Sequence, residues 1–166
     1  MDGSMSRRAV IHIGIDKTGT TTLQQSLYAH RQALLARGIL YPSIGANHSI
    51  YLSTLFRAQP PHTLPRVEPS ATTPEGIEAA RKKFRDQLND DLDREWHTLV
   101  LSAESLCDAG PPTIARLQNF LAPHVADFLI VAYVRDPRPR RRRARAAPRA
   151  AGFGDLRGVR LQCAGT

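Results

Sequence analysis

The chain has 166 residues, enough for one domain with its own core, and 42% of them are hydrophobic. No run approaches the roughly 20 apolar residues that cross a bilayer. The first eight residues lack the long apolar segment expected of a signal peptide, and two cysteines, Cys107 and Cys163, are too few for a disulfide framework or a Cys-based metal site. These features predict a cytoplasmic protein without a structural metal.

The net charge of +8 would suit nucleic acid, but its placement argues against that partner. Up to Val134, 13 Lys and Arg balance 13 Asp and Glu; from Arg135 onward, 10 Arg face 2 acids. The predicted organisation is therefore a domain-like segment over residues 1–137 and an Arg/Ala/Pro-rich tail over 138–166.

Residues 9–15 (AVIHIGI) form a β-branched apolar run suited to a strand buried on both faces. A polar turn follows at 16–22. Leu23, Leu27, Leu34 and Leu35 then recur at helical spacing, with Gly38 as the stop. Residues 39–41 before Pro42 predict a short strand, and 47–57 a weak helix.

Residues 58–73, rich in Pro, Ser and Thr, read as a surface loop. Thr73-Pro74-Glu75 is a strong helix start, with a capping hydroxyl, Pro at the first helical position and an acid in the first turn. Ile77, Ala80, Phe84, Leu88 and Leu92 then mark one apolar face. Residues 98–101 predict a strand, 112–121 a short helix stopped by Pro123, and 128–134 (FLIVAYV) the most pronounced strand of the chain. Beyond it no element is predicted.

Strands that alternate with helices and are apolar throughout predict a three-layer α/β/α domain, its parallel sheet covered on both faces. Ligands of such sheets lie beyond the C-terminal strand ends. Three ends carry polar residues: Asp16-Lys17-Thr18, Ser102-Ala103-Glu104 and Arg135-Asp136. They are expected to converge on one site.

The turn at 14–21 (GIDKTGTT) nearly fits the phosphate-loop pattern GxxxxGK[ST]. Its glycines permit a tight turn, and successive N–H groups at a helix start surround an anion. Thr20 stands where an NTPase has its lysine, and a lysine appears earlier, at Lys17. Without the lysine inside the helix, a triphosphate loses its main charge clamp. Residues 99–101 also run into Ser102 rather than a metal-binding carboxylate. A metal-dependent nucleotide or small-molecule kinase is thereby disfavoured.

Residues 12–24 (HIGIDKTGTTTLQ) resemble the 5′-phosphosulfate loop of the sulfotransferases that use 3′-phosphoadenosine 5′-phosphosulfate (PAPS). Residues 131–137 (VAYVRDP) resemble that family's 3′-phosphate strand. The resemblance, from about residue 9 to 137, implies a P-loop-like sulfotransferase fold. It also implies sulfuryl transfer from PAPS to a hydroxyl, less readily an amine, without a metal.

In such a site Lys17 would stabilise charge on the oxygen bridging phosphorus and sulfur, while Thr18, Gly19, Thr20, Thr21 and Thr22 hold the 5′-phosphate. Arg135 would grip the 3′-phosphate with its planar fork. Family members often have Pro where Asp16 stands.

The base that activates the acceptor is expected to be Glu104, past a strand end, or His48, which has the suitable residue type. The acceptor would be a carbohydrate, a lipid or a small phenol.

The family also has a serine about two helical turns after its arginine, where this chain has Arg143. The expectation is a domain incomplete at its C-terminus, truncated or frameshifted and in doubt as an active enzyme. Apolar surfaces left uncovered would promote self-association. A nucleic-acid-binding tail is the alternative; it predicts steeply salt-dependent binding that is lost with residues 138–166.

Overall fold

The computed structural model describes residues 6–14, 19–134 and 159–165. Its centre is a parallel sheet in the order β2-β3-β1-β4-β5, formed by β1 (Arg8–His12), β2 (Ile39–Leu40), β3 (Thr98–Ser102), β4 (Asp127–Val134) and β5 (Val159–Gly165). β1 lies between β3 and β4, with Ala9 opposite Leu99 and Phe128, and Ile11 opposite Leu101 and Ile130. The expected α/β class with a parallel sheet is thus observed. β5 is a strand that the sequence pattern does not predict. It pairs with β4 from Phe128 to Val134.

The period of two along each strand separates the faces. Ala9, Ile11, Leu99, Leu101 and Ile130 share one face and are buried. Against it pack α3 (Ser49–Phe56), α4 (Pro74–Leu92) and α5 (Pro111–Leu121), with Leu52, Phe84, Leu88, Leu117 and Leu121 in the same core cluster.

α4 begins as its sequence predicts. The Thr73 side chain accepts a hydrogen bond from the Gly76 N–H at 3.2 Å, and Pro74 opens the first turn. Near its other end, the buried Asp91 carboxylate accepts from the Ser43 amide (2.6 Å) and hydroxyl (2.8 Å), tying α4 to the loop after β2.

α3 is closed by arginines from its neighbours. Arg81 of α4 donates to the carbonyls of Thr54, Arg57 and Ala58, and Arg116 of α5 donates to that of Phe56 at 2.7 Å. Carbonyls orphaned at a helix C-terminus thereby gain charged donors.

The opposite face is different. Val10, Val100, Leu129 and Val131 are half-buried, so the expected double-sided cover is partial here. α1 (Thr20–Ala29) lies on this side and continues into α2 (Arg31–Leu35). The single helix predicted from Leu23 to Leu35 is bent at His30 (φ −99°, ψ 11°), whose ring Nδ1 and backbone N–H both lie against the Ser26 carbonyl. Gly38 ends α2 at φ +72°, and its carbonyl accepts from His97 and Thr98 at the start of β3. Among the described residues no helix is long and apolar enough to cross a membrane.

Candidate anion site at the ends of β1 and β3

β1 ends at His12, and the chain re-enters the described structure at Gly19, the residue before α1. Gly19 has φ +82°, a left-handed conformation that L side chains rarely adopt, and it offers α1 no capping side chain. Gly14 is required for another reason. A Cβ there would overlap the Thr20 side chain and crowd Glu104. Gly14 lies two residues after β1 and Gly19 directly before α1, and both stand beside the end of β3.

The buried Thr20 hydroxyl donates to the Glu104 carboxylate, which lies two residues beyond β3. Thr21 and Thr22 are exposed on the first turn of α1. Glu104 is half-buried and so remains open to solvent beside the start of the helix. The end of β1 and the start of α1 are therefore brought together with the polar end of β3. Lys17, Thr18, Asp16 and Arg135 lie outside the described residues, as do residues 138–149 of the basic tail.

His48 has a structural position. Its backbone N–H donates to the Ser102 carbonyl (3.0 Å), and its ring Nδ1 accepts the Ser102 amide N–H (3.1 Å). The residue is 0% exposed, and its ring lies 4.6 Å from that of Tyr41. Burial pushes its pKa down to about 4, opposed in part by the Pro42 and Gly45 carbonyls. The ring presents no open face to an acceptor, so of the two bases expected from sequence, Glu104 is the accessible one.

Beneath Thr20 and Glu104 lies a polar cluster that the sequence pattern does not single out. Gln24 Nε2 donates to Ser102 Oγ at 3.1 Å, and Ser102 Oγ lies 2.7 Å from His12 Nδ1. All three residues are buried. Burial lowers the His12 pKa, with the Glu104 carboxylate opposing. One sequence signal exists: Gln24 stands four residues after Thr20, on the inward face of α1.

No protein-family model matches this chain, and no curated protein and no solved structure matches it. Its chemistry has to be argued from its own residues. Among the described residues no group of three or more His, Cys, Asp or Glu is placed to hold a metal ion.

Proposed function

We propose that this chain carries the donor site of a PAPS-dependent sulfotransferase, with the P-loop-like fold of that family. One observation carries the reading: Gly14, left-handed Gly19 and the uncapped start of α1 meet Glu104 at the C-terminal end of a parallel sheet. Backbone N–H groups at such a start suit a phosphate.

In the proposed reaction the acceptor's hydroxyl oxygen attacks sulfur, and the bond from sulfur to the bridging oxygen breaks. 3′,5′-ADP leaves with the electron pair, and the hydroxyl proton passes to Glu104. Lys17 offsets charge on the leaving oxygen, and Arg135 selects the 3′-phosphate. The loop's glycines and threonines position the donor, so positioning and electrostatics supply most of the rate. Self-association is part of this reading, and sizing chromatography would register it as a species larger than a monomer.

A second reading, a kinase using ATP and Mg²⁺, is favoured by one contact. A hydroxyl at the helix start bonded to a carboxylate past a neighbouring strand also suits a metal-nucleotide site. Calorimetric titration separates the two. Saturable binding of 3′,5′-ADP, weakened about tenfold or more by Lys17→Ala and absent for ATP·Mg²⁺, supports the sulfotransferase reading. Binding of ATP·Mg²⁺ alone would replace it with the kinase.

A further inference from the structure

Three elements meet at one side chain, Ser102. Gln24 reaches it from α1, His12 from the end of β1, and Ser102 itself closes β3. A serine hydroxyl has one proton to give. Ser102 Oγ accepts from Gln24 Nε2–H and lies within hydrogen-bond distance of His12 Nδ1, so one hydroxyl links the two side chains. Either direction of the Ser102–His12 bond is compatible with a neutral imidazole. Burial favours this neutral form.

The chain of bonds is placed to act on the site above it. Thr20 and Gln24 are one turn apart on the same face of α1, and Ser102 and Glu104 are two residues apart. The Gln24–Ser102 and Thr20–Glu104 bonds are successive ties between α1 and the end of β3. The Ala103 amide also donates to the His12 carbonyl at 3.0 Å, so the backbone beneath Glu104 is fixed to β1. The helix start has less support of its own: its first backbone bond, from Leu23 N–H to the Gly19 carbonyl, is long at 3.4 Å.

We propose that Gln24, Ser102 and His12 form a positioning network that holds the start of α1 at a fixed height over the ends of β1 and β3, and so sets the separation of Thr20 and Glu104. Its ligand consequence rests on the donor-site reading; its geometry does not.

The test uses the full chain, with histidine ring-nitrogen NMR, amide hydrogen exchange at Leu23 and titration with 3′,5′-ADP, on wild type, Gln24→Leu and Ser102→Thr. In wild type the His12 Nδ1 resonance is expected to carry the shift of a hydrogen-bonded ring nitrogen. Gln24→Leu should exchange the Leu23 amide about tenfold faster with the core amide of Leu88 unchanged, and should bind 3′,5′-ADP about fivefold more weakly. Ser102→Thr, which keeps the hydroxyl, should retain the His12 Nδ1 hydrogen bond and the affinity.

A His12 Nδ1 that carries no hydrogen bond in wild type overturns the network, even if the Gln24 variant fails to fold. So does a folded Gln24→Leu with wild-type exchange at Leu23, or with faster exchange and unchanged 3′,5′-ADP affinity. A wild-type chain that shows the expected His12 Nδ1 hydrogen bond and exchange but binds no 3′,5′-ADP removes the donor reading and leaves the network supported.

Discussion

The two faces of the sheet are built on different principles. One is aliphatic, closed by α3, α4 and α5, and buried almost completely from Ala9 to Ile130. The other has half-buried valines and leucines toward its middle and, at the strand ends, the polar cluster of His12, Ser102 and Gln24 beneath α1. Stability is concentrated on the first face, because its apolar side chains have left water. The capacity for chemistry is concentrated on the second, where the start of α1 after Gly19 and an accessible carboxylate meet. A domain can bear polar groups and incomplete cover on one side when the other is closed.

The difference can be broken first by truncation. Leu99→Ala on the closed face should cost about 2–5 kcal/mol in chemical denaturation, because it removes apolar contacts and leaves a cavity. Val10→Ala, one strand over on the half-covered face, should cost roughly 1 kcal/mol, since less surface is returned to water. Equal losses would mean that both faces are equally packed.

Acidification probes the polar end. His48, and in direction His12, bind a proton more weakly folded than unfolded, so the unfolded chain gains protons first as pH falls. Stability should therefore be intact above about pH 6.5 and drop between there and about pH 4, the His48 value. The slope should be about 1.4 kcal/mol per pH unit for each histidine titrating. A folded His48→Gln should lower the slope by one proton, measured as denaturation midpoints across that range.

Smaller effects sharpen the comparison on the closed side. Thr73→Ala removes the α4 cap and should cost about 1 kcal/mol, read as a lower Tm. Lys82→Ala breaks the exposed Lys82–Asp86 pair on the outer surface of α4 and should leave Tm unchanged.

These contrasts explain what the sequence made legible. α4 carries local signals, a cap at Thr73, Pro74, and apolar residues at 77, 80, 84, 88 and 92, so its start and inward face can be read directly. β1, β3 and β4 announce themselves as apolar runs. Because those runs are apolar at Val10, Val100 and Leu129 too, they predict a second covered face, and burial there is partial. β5 (VRLQCAG) does alternate, with Val159, Leu161 and Cys163 against Arg160 and Gln162, but the run is short and follows arginine-rich text, so it does not stand out as the apolar runs do.

At the site, the glycines and threonines of residues 14–22 were visible as a pattern, and Glu104 as a polar residue past a strand. The burial of His48 and the meeting of His12 with Ser102 depend on strand register across about ninety residues, which no window of sequence contains. The bend at His30 was hidden for a related reason: the leucine spacing runs through it unchanged.

The arginine closure of α3 has a consequence for the order in which the molecule can be made. Eight residues are too few for a helix to persist alone in water. The donors that complete its last turn arrive with Arg81 and Arg116, the second of them 60 residues after the carbonyl it meets. On a ribosome, residues 49–56 would emerge well before either guanidinium does. The segment should stay unsettled through most of synthesis and lock only when α5 has been delivered, which makes α3 an early-translated, late-folding part of the chain.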